Sequence, residues 1–287
     1  MSDASGRVVV LSGATSGIGN AAARALAAGG ARLTLVGRNE ALLAELAAEL
    51  GDATDWVVAD LASLEQTRRA AAEIRERHDR LDVLINNAGG FFSRRGESAE
   101  GLELSLALNH LSPFVLTSEL LPLLHAAAEG DREFGARIVN VASSAHRSGV
   151  QWDGLAWERR YGMMRAYGQA KALMIMTTNE LARRLEGTGV TANSVHPGVV
   201  RTGIIRKSGN RLLSIGFDLV ARWVLLSPER GAGYVLHLAT SDEVAGVSGT
   251  YWSKDRIEEP AGDAADRAAQ ERAWTLSEQL AGMTAAD

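Results

Sequence analysis

The 287-residue chain contains no cysteine, which excludes disulfides, thiolate nucleophiles and thiolate-ligated zinc or iron–sulfur centres. A chain without a disulfide framework suits a reducing compartment, and a cytoplasmic location is the expectation. Proline is scarce, at 5 residues, and no Pro/Ser-rich linker divides the chain. Uninterrupted apolar runs are also short. None approaches the roughly 18 residues of a membrane-spanning helix, and MSDASG leads directly into Val8–Leu11 without a signal sequence. Neither sign of charge dominates: 30 basic against 35 acidic side chains leave a formal charge of −5. That balance offers no electrostatic case for nucleic acid or an anionic membrane as partner.

What the chain does contain is an alternation. Short β-branched runs at Arg7–Leu11, Arg32–Val36, Asp55–Val58, Asp82–Ile85, Arg137–Val141 and Val190–Val195 read as strands buried on both faces. Between them, Asn20–Ala28, Asn39–Leu50, Ser63–Arg77, Gly101–Ala128 and Ala166–Arg184 have helical spacing. Such alternation predicts an α/β fold: a doubly wound parallel sheet with helices on both faces, in one domain spanning residues 1–287. Ser144–Arg165 and Thr202–Leu226 break the pattern and are expected to lie over a pocket, while Ala264–Met283 reads as a terminal amphipathic helix.

The first strand runs into SGATSGIG, Ser12 to Gly19, and then into a helix. In such a loop Gly13 permits the tight turn, Gly17 lets backbone approach a pyrophosphate, and Gly19 allows close helix–strand packing. The helix N-terminus adds free N–H groups and a partial positive charge. At the end of the second strand, where an NAD site usually carries Asp or Glu for the ribose 2′-hydroxyl, the chain has Gly37 and Arg38. A guanidinium matches a 2′-phosphate, so NADP(H) is expected over NAD(H), which stays possible.

Tyr167 and Lys171 stand four apart in YGQAK, on one face of a helix. A phenol with a pKa of about 10 exchanges protons poorly near neutrality. A nearby ammonium would lower that value. Polar clusters also follow three strands: NVASSAH at Asn140–His146, NNAG at Asn86–Gly89 and HPGVVRT at His196–Thr202. All fall at the strand ends where open α/β sheets bind ligands.

Taken in order, SGATSGIG, Asp60-Leu61 in VADLAS, NNAG, Asn109 in LALNHLSPF, NVASS, YGQAK and HPGVVRT resemble the short-chain dehydrogenase/reductase family over nearly the full length. NHLSPFVLT, NVASSAH, SGTYWSKD and WTLSEQL resemble its retinol-dehydrogenase-like branch. The resemblance implies a Rossmann-type fold and an NAD(P)-dependent enzyme acting on CH–OH or C=O groups. It makes Tyr167 the proton donor or acceptor, and gives Lys171 the nicotinamide ribose and the depression of the Tyr167 pKa. Ser143, three positions after Asn140, would bond the substrate oxygen, and Asn109 would hold a water linked to Lys171. It further implies a cofactor site from Gly13, Ser16, Gly17, Ile18, Gly19, Arg38, Asp60, Leu61, Asn86, Ala88, Gly89, Tyr167, Lys171, Pro197, Gly198, Val200 and Thr202. In that site Asp60 would meet adenine, Asn86 the adenosine ribose, and Val200 with Thr202 the carboxamide.

Two departures stand out: Ser12 replaces the family's threonine but keeps a hydroxyl, and the Ser143–Tyr167 separation is longer than in compact members, as in the retinol-dehydrogenase-like branch; the membrane anchor of many animal members of that branch is expected to be absent. The latter counts against a membrane-bound retinoid role. The expected reaction is NADPH-dependent hydride transfer to or from an apolar, medium-sized carbonyl compound or secondary alcohol. The competing readings are a dinucleotide-binding sensor or scaffold and a sugar-nucleotide epimerase or dehydratase. The first needs no Ser143–Tyr167–Lys171 set, and the second usually needs a larger C-terminal domain than remains after Gly198. Family resemblance implies a homodimer or homotetramer built partly through the helices of Asn109 and Tyr167. His196 reads as structural, and the six scattered histidines form no metal-ligand spacing. Glu45 and Glu49 read as surface charges. Arg94 and Arg95 read as solvated loop charges, with an anionic substrate as the other possibility. Trp152, Trp157, Phe91 and Phe92 read equally as pocket lining or packing.

Overall fold

The computed structural model describes residues 4–131, 133–156, 160–198 and 226–283. Among the described residues, eight strands form one sheet in the order β3-β2-β1-β4-β5-β6-β7-β8. They are β1 Val8–Ser12, β2 Arg32–Gly37, β3 Thr54–Val58, β4 Val83–Asn86, β5 Ala136–Val141, β6 Val190–His196, β7 Tyr251–Ser253 and β8 Arg256–Glu258. All pairings are parallel except β7 with β8. Strand order reverses between β1 and β4, the switch point beyond whose carboxyl ends open α/β sheets bind ligands.

The helices are α1 Gly17–Ala28, α2 Glu40–Leu50, α3 Leu64–Arg77, α4 Leu104–Gly130, α5 Met163–Arg184, α6 Pro228–Thr240 and α7 Arg267–Ala281. Strand parity sorts the core into two layers. In β1, Val8 and Val10 join the cluster with α3, α4, α5 and α7, whereas Val9 and Leu11 join the cluster with α1, α2 and α6. This is why the central strands read as continuous apolar runs: every residue of β1, β4 and β5 is buried, each fully buried Leu or Val contributing about 1.5–3 kcal/mol. Side-chain caps mark several helix starts: Asn39 accepts from the Leu42 N–H, Ser63 from Gln66, Ser227 from Arg230 and Asp266 from Ala269.

Helix α4 is long and apolar enough, by length and composition, to cross a membrane, but 61% of that window is buried inside the protein. Its apolarity is that of a core helix. Its first turns are irregular: Ala107–Leu111 follow π-type spacing, and Asn109 and His110 lie in that stretch.

The six predicted strands and five predicted helices are present within a few residues, and the tail helix is α7. Three elements are not legible in the sequence. Strands β7 and β8 have three residues each, too short to show a period, and α6 contains Gly231 and Gly233, poor helix formers. The helices expected to meet a second copy carry the chain's own α7 on their outer side. There Trp274 packs edge-on against Phe114 at 4.9 Å, and Ser277 bonds His110 at 2.7 Å. Of the predicted pocket-covering segments, 157–159 and 202–225 lie outside the described residues.

Candidate active site

The glycine loop bridges β1 and α1 and is held from beneath by the loop after β4. The Ser12 hydroxyl accepts the backbone N–H groups of Asn87 and Ala88, both at 3.0 Å. This explains why a hydroxyl suffices where the family has threonine. Asn87 donates its side-chain amide to the carbonyls of Ser12 and Gly13, at 2.9 and 3.1 Å. The fit is close. A Cβ on Gly19 would overlap the Gly13 carbonyl, and one on Gly13 would lie 2.8 Å from the Ala88 Cα. Gly13 also has φ +73°, the left-handed region that glycine enters freely.

Ser16 caps α1 with an exposed hydroxyl that makes no side-chain cap bond. Above it opens a cleft of about 590 Å³ lined by Thr15, Ser16, Gly17, Asn20 and Arg24, with Pro228 and Glu229 opposite. Free N–H groups, the helix dipole and a glycine floor fit a pyrophosphate. Ile18 is partly buried against the apolar layer that contains Val9 and Leu11. Arg24 is already paired with Glu49, which is thereby a surface charge as expected.

Arg38 stands exposed just beyond β2, with no hydrogen bond or ion pair among the described residues. Asp60 shapes the turn after β3 by accepting the Ala62 N–H at 3.0 Å, and Leu61 is buried beside it. Asn86 departs from expectation. It is the last residue of β4, and its side chain faces inward, donating to Thr117 Oγ1 at 3.0 Å and Asn140 Oδ1 at 2.8 Å. Only its backbone is left to border a ribose; the neighbouring Asn87 faces the loop. Pro197 and Gly198 close β6, and Val200 and Thr202 lie outside the described residues.

The second half of the site is assembled from three elements. Ser143 follows β5 and starts a tight turn, Ser144–Ser148, its hydroxyl accepting the Ala145 N–H at 3.2 Å. Tyr167 and Lys171 come from one face of α5. Asn109 comes from the π-type stretch of α4. A Cβ on Gly89 would lie 2.8 Å from Asn109 Oδ1 and 3.7 Å from Lys171 Nζ, so NNAG, Asn109 and Lys171 converge on one spot. Asn109 clamps that loop. Its oxygen accepts the Gly90 N–H, and its two N–H groups go to the carbonyls of Gly90 and Ser105, all at 3.0 Å. A water could therefore reach the Asn109 side chain only through the remaining lone pair of its oxygen.

Electrostatics in this corner are governed by burial. Lys171 is 2% exposed, and desolvation pushes its ammonium down to about 7. Its proton-bearing nitrogen donates to the Val141 carbonyl at 2.7 Å and lies 5.9 Å from the centre of the Tyr167 ring. Burial pushes the Tyr167 phenol above its ordinary value, with Ser143 acting in the opposite direction. The expected depression of Tyr167 by Lys171 is thus not present among the protein's own groups. The helical spacing is right, but the buried ammonium turns to the Val141 carbonyl. Of the two adjacent serines, Ser143 is the one that bears on the phenol.

Several supporting residues are not apparent from sequence. Gly168 lets the Ser144–Ser148 turn press on α5, since a Cβ there would overlap Ser148 Oγ and the Ala145 carbonyl. Gln169 holds the following loop, accepting the Gln151 N–H at 2.9 Å and donating to the Leu155 carbonyl at 3.2 Å. The position of Gly168 inside YGQAK is a visible signal, but what it touches is not. The Phe91 ring lies 4.1 Å from that of Tyr167 and walls the site, whereas Trp152 donates to Asp263 and lies under Arg272, attached to the tail. Trp157 lies outside the described residues. Arg95 is held by Glu97 and the Ala156 carbonyl, both at 2.8 Å, and is a structural charge. His196 is pushed down to about 4 by burial and the nearby Lys254, so it stays neutral.

A doubly wound sheet with a glycine cradle at its switch point, and serine, tyrosine and lysine gathered at the same edge, defines a dinucleotide-dependent oxidoreductase. The short chain dehydrogenase family profile matches residues 7–212. Human retinol dehydrogenase 13 is 37% identical over 290 residues, covering 98% of this chain and 86% of that protein. Mouse polyprenol dehydrogenase is 35% identical over 290 residues, with 98% and 86% covered. Among solved structures, an uncharacterised protein from Mycobacterium paratuberculosis superposes with a TM-score of 0.75 at 29% identity, covering 98% of this chain and 96% of that one. The Pseudomonas aeruginosa RhlG/NADP active-site complex superposes with a TM-score of 0.71 at 28% identity, covering 89% and 98%. The chain belongs to the short-chain dehydrogenase/reductase family, in its retinol-dehydrogenase-like branch. It is an NAD(P)-dependent enzyme acting on CH–OH or C=O groups.

Proposed function

We propose that the enzyme uses NADP(H) in preference to NAD(H) and interconverts an apolar, medium-sized ketone or aldehyde with its alcohol, Tyr167 handling the proton. The observation that carries this reading is the shared corner of Ser143, Tyr167 and Lys171 beside the glycine cradle. The preference for a 2′-phosphate is supported by the exposed guanidinium of Arg38 just beyond β2, which has no partner among the described residues, and by the likeness to a solved NADP complex. An apolar substrate is supported by Phe91 against Tyr167 and by relatives named for retinol and polyprenol, both apolar alcohols.

The cofactor, when bound, supplies or takes the hydride. Gly13 to Gly19 with the start of α1 would hold its pyrophosphate, and Lys171 its nicotinamide ribose. Everything else is the work of the chain. Ser143 and Tyr167 aim hydroxyl donors at the substrate oxygen, where negative charge builds during reduction. The phenol carries the proton that the reduced oxygen needs, while burial holds its value above the range best suited to proton transfer near neutrality. Lys171, poised near neutrality, can regain a proton lost from this corner. Asn109 fixes the Gly89–Gly90 floor between cofactor and ammonium.

The test is Tyr167→Phe, assayed with NADPH against a panel of ketones, aldehydes and secondary alcohols. General acid–base catalysis contributes roughly 10²–10⁴-fold, so turnover is expected to fall by at least that lower bound while NADPH still binds. Near wild-type turnover in the variant removes Tyr167 from the chemistry.

A further inference from the structure

The turn that carries Ser143 is anchored by a group that the proposed reaction does not use. His146 is 1% exposed. Its Nδ1 lies 2.8 Å from the Ser143 carbonyl oxygen, and its Nε2 lies 3.1 Å from the backbone nitrogen of Ala261, which is 115 residues further along the chain. These two partners determine the tautomer. A carbonyl can only accept, so Nδ1 must carry the hydrogen; an amide N–H can only donate, so Nε2 must be bare. Burial, by pushing the imidazole below its ordinary range, is consistent with this neutral form. The ring is further fixed edge-on against Tyr251 of β7, at 4.8 Å between centres.

The Ser143 carbonyl therefore accepts twice from His146, from the ring and from the backbone N–H at 3.2 Å. Without the ring, the Ser143–Ala145 turn would keep the bond from the His146 backbone N–H, the Ser143 hydroxyl's bond from Ala145 and the Ser148 hydroxyl's bond to the Ala145 carbonyl. The other wall of the turn is Gly168, which permits close approach without fastening it. Arg147 of the turn also lies 3.5 Å from Glu258 of β8, but the imidazole is the link from the C-terminal segment that bears on the Ser143 peptide itself.

We infer that His146 is a positioning residue that sets the aim of the Ser143 hydroxyl by tying its peptide to Ala261 and the β7–β8 hairpin. The inference rests on the oxidoreductase reading above and names a determinant of the same site. It makes the C-terminal segment part of the active-site frame: a displacement of Ala261 is transmitted to Ser143 through one ring. His146 acts only through Ser143, and its two ring nitrogens are both spent on the backbone, leaving neither for the substrate oxygen or Tyr167.

The experiment is a double-mutant cycle on the full-length enzyme, with kcat, KM and NADPH affinity measured for wild type, His146→Leu, His146→Asn, Ser143→Ala and Ser143→Ala/His146→Leu. Misplacement of a catalytic group by about 1 Å can cost up to roughly 10²-fold. His146→Leu is thus expected to lower kcat roughly ten- to a hundredfold, with NADPH affinity unchanged. His146→Asn retains a donor near the Nδ1 position and is expected to recover part of that loss, and it serves alone if the leucine variant does not fold. In the Ser143→Ala background, removing the ring is expected to cost nothing more. Independent, multiplicative losses in the cycle would overturn the positioning role while leaving the reductase reading intact. No turnover in the wild type, or none lost in Ser143→Ala, would overturn the reading of the site and the inference with it.

Discussion

Acidification from pH 7 to 4.5 is expected to cost this protein about 3 kcal/mol through His110 alone. The imidazole is 2% exposed in the π-type stretch of α4, and burial together with the nearby Lys171 charge pushes it down to about 3. One nitrogen is occupied: Nε2 lies 2.7 Å from Ser277 Oγ, which itself donates to the Ala273 carbonyl. The other, Nδ1, is buried without a hydrogen-bond partner among the described residues. A proton on it would introduce an unpaired charge. In the unfolded chain the same histidine titrates near 6.5, so above that pH both states are neutral and no difference arises. As pH falls below it, the unfolded chain binds a proton that the folded protein refuses, and stability is lost. At pH 4.5 the unfolded value lies two units above ambient and the folded value lies below it, and about 1.36 kcal/mol per unit gives the figure quoted. The assay is urea unfolding at both pH values for wild type and His110→Gln. The other histidines are common to the two proteins, so their contributions cancel in the comparison. The wild type is expected to lose about 3 kcal/mol more than the variant over this interval. Equal losses would refute the claim that His110 is a buried, neutral group.

The Lys171 ammonium has the same sign at higher pH: with its value lowered from 10.5 to about 7, folding is disfavoured increasingly as pH falls from above 10 toward 7. Wild type is expected to gain about 2 kcal/mol in urea stability between pH 7 and 9 relative to Lys171→Met, which loses turnover; a variant with the same pH slope would contradict the desolvated ammonium. Gly168→Ala would push a methyl into Ser148 and the Ala145 carbonyl, and about 1–3 kcal/mol of stability and a larger share of kcat are expected to be lost, by melting and initial-rate assays. Arg38→Ser is expected to weaken NADPH binding at least about tenfold while leaving NADH nearly unchanged, by fluorescence titration; parallel changes would remove Arg38 from cofactor choice.

Features that depend on neighbours along the chain are legible in the amino-acid order. The strand–glycine loop–helix unit is contiguous, and the four-residue spacing of Tyr167 and Lys171 places both on one helix face by geometry alone. Buried strands show themselves because a sheet covered on both faces admits only apolar side chains in unbroken runs. The same locality explains what is misread or left open. Asn86 and Asn87 are adjacent and identical, and only the end of β4 decides that one faces Asn140 and the other the Gly13 carbonyl. Composition leaves Trp152 balanced between pocket lining and packing, and its attachment to Asp263 makes it part of the tail.

Fold class, the glycine cradle and the residue types available for proton transfer all follow from local sequence, because short-range periodicity and backbone permissiveness carry those properties. How the groups behave follows from long-range contacts. Lys171 donates to Val141, Ser143 is tied through His146 to Ala261, and burial moves Tyr167 up and Lys171 down. Hydrogen-bond partners and desolvation are set by chain segments far apart in sequence, and they exist only once the sheet has brought those segments together.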